Sequence, residues 1–588
     1  MNRQFTVKCQ PSLANARNAA ASLNTLRVAI FAAIADILNA NRAIRPSFSG
    51  SLGVKITVES ISNRALRLAG LSKLAILLFF LSAGALAQSS SAVQPAASRT
   101  KDSPIKTLDE LRTSITEKLA RPEVRRGQIG IKIVSLDTGS VIFEQNAEKY
   151  FMPASNMKNF TIAAALEKLT PDFEFVTSVY ATAPPDNDGI VEGPVRVMGR
   201  GDVSISYSFF DGDYFKGIDR LADAVAAAGI KRIEGDLIGD ETYFTGDAKP
   251  GGWEWDDLQF YYGAEVSSLP INDNAVAINV APGPLGYGCT VRLTPPNLIF
   301  RVINKCITTP AGSKQTLRIV KELDRNIIEI NGDMPFRGGA FNGFVSITHP
   351  AEMFTALLKQ RLEAKGITVA GRPVAVNSKD MLPDGLSVEI AKIESPPLSV
   401  IAAKTLKPSQ NMYTETILRV LGEKIGRNAA AIGGEAAAAS EKTSQELGSF
   451  VVKSFLREIG IEDDAIIQYD GSGLSRHNLV TPAALVRLYA YMGTQSKFAS
   501  VWLDSLTIGG VDGTLRNRFA GTRAAANIRG KTGTINQVSA LSGYVTSASG
   551  ERFAFSMLVN GVAESRTRVG LIDEVVVELA NFGESDKQ

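Results

Sequence analysis

Hydrophobic and polar residues alternate in the segment that begins at residue 128. Over Gln128 to Phe143 three isoleucines fall on one face, namely Ile129, Ile131 and Ile133. This period of two predicts two short strands, with a turn at Asp137-Thr138-Gly139 between them. Apolar residues then recur at helical spacing, which predicts a helix over Phe160 to Leu169.

The pattern changes between residues 178 and 392, where short alternating segments are separated by turn residues. Examples of these segments are Val195 to Met198, Ala275 to Val280 and Ile327 to Ile330. One helical segment, Pro350 to Lys365, interrupts them. The pattern predicts one or two β-rich insert domains over residues 178–392.

Helical spacing returns around Leu398 to Leu421. Thr443 and Glu446 form a capping-box pattern, which predicts the start of a further helix. Near the C-terminus, Ala526 to Gly533 and Ala540 to Thr546 predict two adjacent strands. We expect residues 107–177 and 393–588 to form the two parts of one α+β domain that carries the insert.

The N-terminal region has the order of segments that a secretory signal peptide requires. Basic residues precede an apolar run, Leu74 to Leu81, and the small-residue segment Ala85-Leu86-Ala87 follows it. This order predicts cleavage before Gln88 and export to the periplasm. Residues 1–87 are then an N-terminal extension and signal peptide, and residues 88–106, rich in Ser, Ala and Gln, are a tether. A retained membrane anchor is the alternative, and loose membrane attachment also stays open.

The predicted signal peptide begins unusually far from residue 1. The preceding residues exceed what a basic n-region needs, so we hypothesise a translation start near Val54, Val58 or Leu66. The alternative is an additional N-terminal helix built on Leu26 to Leu38. A mature N-terminus mapped upstream of residue 60 would refute the hypothesis.

Composition excludes several classes of function. The chain is 45% hydrophobic and 21% charged, as globular proteins are. Its net charge of +3 leaves no excess positive charge for a polyanion, so we expect no nucleic-acid partner. The two histidines, His349 and His477, show no zinc-binding spacing, and we expect no metal site. After cleavage Cys289 and Cys306 remain, either as a disulfide or as two buried thiols.

Three short motifs carry the candidate chemistry: Ser155-Asn156-Met157-Lys158, Ser409-Gln410-Asn411 and Lys531-Thr532-Gly533-Thr534. Any one of them is weak evidence, since Ser98-x-x-Lys101 in the tether also has the spacing of the first. Their order and context are more specific. The first opens a predicted helix, the second starts or joins helices, and the third lies on a predicted C-terminal strand.

The first motif has the residues that nucleophilic catalysis needs. A serine hydroxyl becomes a strong nucleophile when a neighbouring base takes its proton. Residues three apart share a helix face, so Lys158 can reach the oxygen of Ser155. Burial and a second cation keep a lysine partly neutral, as a base must be, and Lys531 is the candidate for that cation.

The other two motifs suit the remaining steps of acyl transfer. Ser409 can relay a proton to the leaving amine, and Asn411 can hold Lys158 or the substrate amide. The strand at Lys531 can pair with an extended peptide, while its Lys and Thr side chains suit a terminal carboxylate. The backbone N–H groups of Ser155 and Thr534 can stabilise the oxyanion.

In this order the three motifs resemble the penicillin-interacting serine enzymes, which include penicillin-binding proteins and serine β-lactamases. The long interval between the first two motifs is similar to that of the D-alanyl-D-alanine carboxypeptidase/endopeptidase branch of low-molecular-mass penicillin-binding proteins. The resemblance covers roughly Leu108 to Phe582. Further matches are Asp470-Gly471-Ser472-Gly473-Leu474-Ser475-Arg476, Gly513-Thr514-Leu515 and Ala540-Leu541-Ser542-Gly543-Tyr544.

The resemblance implies an antiparallel sheet flanked by helices, with β-rich insert domains. It also implies roles for the motif residues. Ser155 is the acylated nucleophile and Lys158 its base; Ser409, Asn411 and Lys531 are further catalytic residues; Thr532, Gly533 and Thr534 bind the substrate.

Two assignments outside the motifs are also implied. Arg476 is expected to reach toward the side chain of the stem peptide, and Asp240 corresponds loosely to an insert acid near the same pocket. The chain departs from the family pattern at Gly201-Asp202-Val203-Ser204, where Gly-Asp-Pro-Thr is expected. It departs again at Tyr413-Thr414-Glu415, where small residues commonly precede the acid.

The expected function is that of an exported serine D-Ala-D-Ala carboxypeptidase/endopeptidase. Its partners are peptidoglycan stem peptides and, as acylating inhibitors, β-lactam antibiotics; no cofactor is expected. One alternative is a serine β-lactamase, against which the large insert argues. Another is a non-catalytic wall-binding or penicillin-sensing protein, against which the intact Ser155 and Lys158 argue. Oligomeric state and the balance of the two peptidase activities stay open.

Overall fold

The computed structural model describes residues 107–296, 298–432 and 441–583. The predicted signal peptide, the tether, the proposed start sites and the alternative N-terminal helix lie outside these residues. In the part of the chain that is described, every helix is too short or too polar to cross a membrane.

The described chain contains both helices and strands. The helices are α1 (Leu108–Leu119), α2 (Lys158–Lys168), α3 (Lys216–Ala227), α4 (Pro350–Ala364), α5 (Leu398–Leu406), α6 (Asn411–Leu421), α7 (Arg427–Ile432), α8 (Ser444–Glu458), α9 (Pro482–Thr494), α10 (Ala499–Ser505) and α11 (Ser565–Asn581). The strands before the third motif are β1 (Gln128–Ser135), β2 (Val141–Gln145), β3 (Val176–Ala181), β4 (Ile190–Val191), β5 (Val195–Met198), β6 (Arg232–Ile233), β7 (Leu237–Asp240), β8 (Ala275–Ala281), β9 (Thr290–Thr294), β10 (Arg301–Asn304), β11 (Ile307–Thr309), β12 (Arg318–Lys321), β13 (Ile327–Asn331), β14 (Asp333–Pro335), β15 (Phe341–Ser346), β16 (Thr368–Val369), β17 (Pro373–Val376), β18 (Val388–Glu394), β19 (Ile466–Ile467), β20 (Leu479–Val480) and β21 (Thr507–Ile508). The last three strands are β22 (Arg529–Ile535), β23 (Val538–Thr546) and β24 (Arg552–Asn560).

A six-stranded antiparallel sheet joins the beginning and the end of the described chain, in the order β2-β1-β24-β23-β22-β21. Strand β1 pairs along its whole length with β24, from Gln128 opposite Asn560 to Ser135 opposite Phe553. Helix α11 packs against β23 and helix α9 against β24. The predicted α+β class is confirmed, and the predicted strand pairs at both ends of the chain are present.

A separate hydrophobic core lies in the middle of the chain, and its members run from Val179 to Ile393. Its strands form small sheets, of which the largest is the mixed sheet β17-β7-β5-β3-β18. Side chains alternate between buried and half-buried along β5, as the predicted period of two requires. Cys289 and Cys306 form a disulfide within this region.

The predicted helical stretch from Leu398 to Leu421 consists of two helices. Helix α5 ends at Leu406 and α6 begins at Asn411, so the second motif forms the junction. Ser409 there has a φ of 64°, a left-handed conformation that costs an L residue about 1–2 kcal/mol. The Gln410 side chain caps α6 by accepting a hydrogen bond from the Met412 N–H. The junction therefore presents Ser409 and Asn411 on a fixed turn.

Candidate active site

Ser155 lies on a single 3-10 turn, Ala154–Met157, that leads directly into helix α2. Lys158 begins the helix, three residues later, and therefore lies on the same face as Ser155. The Lys158 Nζ atom is 3.1 Å from the Ser155 Oγ atom. The first motif thus brings a hydroxyl and an amine within hydrogen-bonding distance, as its spacing predicts.

Lys158 is fully buried, and its amine has three oxygen neighbours. Besides Ser155 Oγ, Nζ donates to the Asn411 Oδ1 atom at 2.6 Å and to the Ser472 carbonyl oxygen at 2.7 Å. These two acceptors match the two N–H groups of a neutral amine, which leaves its lone pair for the Ser155 hydroxyl proton. Burial lowers the pKa of Lys158 to about 7, against the opposing attraction of Asp470 and Glu415.

A backbone carbonyl group of the insert sets the orientation of the Asn411 side chain. Its Nδ2 atom donates to the Tyr262 carbonyl oxygen at 2.8 Å, so its Oδ1 atom is the one that faces Lys158. Because an amide oxygen accepts and cannot donate, this orientation suits an amine neighbour. The Tyr262 carbonyl is a contact that the sequence motifs did not indicate.

Lys531 is the second buried amine of the cleft. Its Nζ atom donates to Ser409 Oγ and to the Thr532 carbonyl oxygen, both at 2.8 Å. Burial, and then the charge of Lys158, hold the pKa of Lys531 well below its usual range. The structure therefore brings the second and third motifs together and places the Lys531 charge where Lys158 influences it.

Strand β22 passes directly over the turn that carries Ser155. A Cβ atom on Gly533 would lie 2.5 Å from the Pro153 carbonyl oxygen and 3.0 Å from Asn156 Nδ2, so only glycine fits there. On the same strand, Thr532 Oγ1 donates to Thr514 Oγ1 at 2.7 Å, and Thr534 is exposed. Thr514 lies in the Gly513-Thr514-Leu515 match, to which the sequence analysis assigned no role.

The loop Asp470–Ser475 is held by two buried carboxylates. Glu415 accepts from the Ser472 N–H at 2.7 Å and the Gly471 N–H at 3.1 Å. Asp470 accepts from the Gly473 and Ser475 N–H groups, each at 2.7 Å. Burial, with the negative charge of Asp470, raises the pKa of Glu415 to about 7. These acids fix the position of the Ser472 carbonyl oxygen that faces Lys158. In the sequence, the Asp-Gly-Ser-Gly turn pattern indicated this loop.

Arg476 follows that loop and contacts the insert. Its Nη2 atom donates to the Asn536 carbonyl oxygen at 2.9 Å, and its Nε atom is 3.0 Å from the Glu254 Oε1 atom. Its side chain is a quarter exposed, which leaves it accessible to a ligand. The acid that the structure brings to Arg476 is thus Glu254.

The structure does not bring Asp240 to the candidate active site. Its side chain is 0% exposed; it accepts from Arg196 Nε at 2.6 Å and from the Thr242 N–H at 2.8 Å. A carboxylate that is buried and already paired with a guanidinium is unavailable to a substrate, so the predicted binding role of Asp240 is corrected. The pattern at the end of β7 showed an acid in the insert and could not show which way it faces.

Among the described residues, no group of three His, Cys, Asp or Glu side chains could hold a metal ion. His477 packs its ring against Tyr469, with the centroids 5.0 Å apart. The arrangement that the chain does build is a hydroxyl, two buried amines and an adjacent strand, which is suited to acyl transfer.

Comparisons with known proteins agree with this chemistry. Residues 111–581 match the D-Ala-D-Ala carboxypeptidase 3 (S13) family. The chain is 31% identical over 492 residues to the D-alanyl-D-alanine carboxypeptidase of Actinomadura sp. (strain R39), covering 81% of this chain and 85% of that protein.

Solved structures share the fold. Penicillin binding protein 4 (dacB) from Haemophilus influenzae has a TM-score of 0.66 at 24% identity, over 80% of this chain and 98% of that one. The same protein complexed with a β-lactam has a TM-score of 0.61 at 23% identity, over 80% and 98% of the two chains.

Proposed function

The chain belongs to the D-Ala-D-Ala carboxypeptidase 3 (S13) family, and from this premise we propose that it cleaves peptidoglycan stem peptides through an acyl-enzyme on Ser155. The predicted family is confirmed, and the chain is a serine D-alanyl-D-alanine carboxypeptidase of the penicillin-binding type. The family match does not favour a serine β-lactamase or a non-catalytic sensor. The observation that carries the catalytic assignment is the contact between Ser155 Oγ and the buried amine of Lys158.

Acylation begins with the neutral form of Lys158. Its lone pair takes the Ser155 proton as Oγ attacks the carbonyl carbon of the penultimate D-Ala. The oxyanion that forms is stabilised by the backbone N–H groups of Ser155 and Thr534. Asn411 and Ser472 keep the amine in place through its other hydrogens.

Collapse of the tetrahedral intermediate needs a proton on the leaving amine. Lys531 donates to the Ser409 oxygen, which leaves the Ser409 hydroxyl hydrogen free to pass to that amine. Ser409 takes in exchange the proton that Lys158 removed from Ser155, so that Ser409 regains its hydroxyl and Lys158 returns to its neutral form. The C–N bond breaks, D-Ala or the second strand of a cross-link departs, and water then hydrolyses the ester on Ser155. Lys158 acts as the base again in that second step.

The third motif and Arg476 hold the substrate. Strand β22 accepts the peptide as an added strand, in which Thr532, Gly533 and Thr534 supply backbone groups. The Lys531 charge and the Thr532 hydroxyl attract the terminal carboxylate. Arg476, at the other side of the cleft, contacts the side chain of the stem peptide.

One partner and a location complete the proposal. We propose that β-lactams acylate Ser155, as supported by a relative whose solved structure contains a β-lactam. We also propose a periplasmic location, on the sequence pattern of residues 1–87.

Labelling with a fluorescent penicillin tests the proposal. The wild type and Ser140→Ala, a change at the exposed turn between β1 and β2, should be labelled, and Ser155→Ala should not. Incubation with defined muropeptides then separates the activities. Free D-Ala from monomers indicates a carboxypeptidase, and loss of cross-linked dimers indicates an endopeptidase. Labelling of Ser155→Ala, or rapid turnover of a chromogenic cephalosporin, would contradict the proposal.

A further inference from the structure

The second motif is anchored by a buried carboxylate from the insert, Asp273. Its Oδ1 atom accepts from the Tyr413 hydroxyl and from Ser206 Oγ, the latter at 2.5 Å. Its Oδ2 atom accepts from Gln410 Nε2 at 3.2 Å. Tyr207 donates a further hydrogen bond to the same carboxylate. Two donors therefore belong to the insert, and two come from residues on either side of Asn411.

The insert holds Asp273 in a conformation that an L residue rarely adopts. Asn272, Asp273 and Asn274 have φ values of 47°, 60° and 51°, three consecutive left-handed residues. Each flanking asparagine is fixed by hydrogen bonds. Asn272 accepts from the Tyr207 N–H at 3.0 Å, and Asn274 accepts from the Ile271 N–H at 2.9 Å. Such a run persists only where the surrounding structure determines it strongly, and it often marks a functional element.

Gln410 and Tyr413 tie this carboxylate to the catalytic turn. Gln410 lies between Ser409 and Asn411, the residues that contact Lys531 and Lys158 respectively. Tyr413 lies on the first turn of α6, two residues after Asn411. A displacement of either anchor moves the partners of both amines, and a misplacement of 1 Å can lower a catalysed rate by about 100-fold.

We propose that Asp273 is a positioning residue for the Ser409–Asn411 turn, so that the insert sets the geometry of the catalytic lysines. The inference rests on the proposed function of Ser155 and adds a task for the insert. It also explains the departure at Tyr413-Thr414-Glu415, since the tyrosine hydroxyl is a donor to Asp273 that a small residue could not supply.

Asp273→Asn is chosen to break the contact with Gln410. The amide oxygen can still accept from Ser206 and Tyr413, while the amide nitrogen faces the Gln410 Nε2 donor. Gln410 cannot relieve this by turning its own amide, because its Oε1 atom accepts from the Met412 N–H at 3.3 Å and caps α6. The variant therefore releases the turn while keeping the size of the side chain.

Adding Gln410→Glu to Asp273→Asn restores the contact with donor and acceptor exchanged. The carboxylate can accept from the new amide and still cap α6. A purely structural defect in the insert would not be repaired by a change on the catalytic turn. The double variant is therefore the decisive comparison.

The experiment measures the second-order rate of acylation by a fluorescent penicillin, with kcat and KM for a D-Ala-D-Ala peptide. Asp273→Asn should slow acylation about 10- to 100-fold and lower kcat more than it changes KM. Tyr413→Phe, which removes only the hydroxyl donor, should also slow it. The double variant should recover most of the rate.

Asp219→Asn is the matched control, because it breaks the ion pair with Arg361 inside the insert, where the two groups are 2.7 Å apart. It should lower the melting temperature and leave acylation unchanged. Acylation at the wild-type rate in Asp273→Asn and Tyr413→Phe, or no recovery in the double variant, overturns the proposal. Absence of labelling in the wild type would instead refute the function on which it rests.

Discussion

The two sides of the cleft hold the same residue type in different ways. On the helix side, Lys158 is contacted by Ser155, Asn411 and Ser472, and two nearby carboxylates oppose the effect of burial on its pKa. On the strand side, Lys531 contacts Ser409 and its own strand, and the charge of Lys158 adds to the effect of burial.

The difference shows how one cleft assigns two tasks to two lysines. A base must lose its proton near the working pH; burial lowers the pKa of Lys158 to about 7, and the two carboxylates keep it from falling further. Two ammonium groups in one buried cleft disfavour each other, so the proton state of one depends on the other.

Removal of the helix-side amine should have the largest effect. Lys158→Met takes away the base, so we expect acylation by a fluorescent penicillin to slow by about 10²- to 10⁴-fold. Lys168→Met, at the half-buried far end of the same helix, removes an ion pair with Glu458 away from the cleft and should acylate normally. Equal rates for Lys158→Met and the wild type would show that another group takes the Ser155 proton.

Removal of the strand-side amine should have the next largest effect. Lys531→Met removes a preorganised charge, so acylation should slow by about 10²- to 10³-fold. Loss of a neighbouring positive charge should also raise the pKa of Lys158, and the remaining activity should require a higher pH. Lys321→Met, which alters a buried lysine of the insert, is the control and should reduce stability alone. An unchanged pH profile in Lys531→Met would mean that the two amines are not coupled.

The pH profile of acylation sharpens the comparison further. Because the neutral form of Lys158 is the reactive one, the rate should rise with pH through about 7. Glu415→Gln removes an attraction for the ammonium form, which lowers the pKa of Lys158 and should move this rise to lower pH. Glu458→Gln on the surface should leave the profile in place. A shift to higher pH in Glu415→Gln would contradict the assigned electrostatics.

A smaller effect is expected at the rim of the cleft. Arg476→Ala removes a charged contact to the stem peptide, so kcat/KM for that peptide should fall about tenfold. Acylation by a simple penicillin, which lacks that part of the peptide, should be unchanged, as should both activities in Arg457→Ala. Equal losses for both substrates would mean that Arg476 supports the loop and does not bind peptide.

Local patterns predicted the parts of the site that are close in sequence. The spacing of Ser155 and Lys158, the turn at Ser409 and the strand at Lys531 each follow from a few neighbouring residues. Their order along the chain indicated the family, which is confirmed. The α+β class followed in the same way from the change between helical and alternating periods.

Long-range contacts could not be predicted from one sequence. The pairing of β7 with β5 and with β17 depends on three-dimensional packing, because strands this short carry little pairing information. Asp240 and Asp273 are both acids of the insert, and no local pattern tells which one pairs with an arginine and which reaches the catalytic turn. The orientation of a buried side chain is decided by partners far away along the chain.

Strand β24 lies between β1 and β23, so the large sheet needs residues 552–560 before its two halves can join. As the chain appears from its N-terminus, the segments of the insert core precede β24, and domains generally fold as units in the order in which they appear. A chain cut short before β24 would therefore hold a folded insert beside an unassembled cleft. Hydrolytic activity therefore arises only after β24 has joined the sheet.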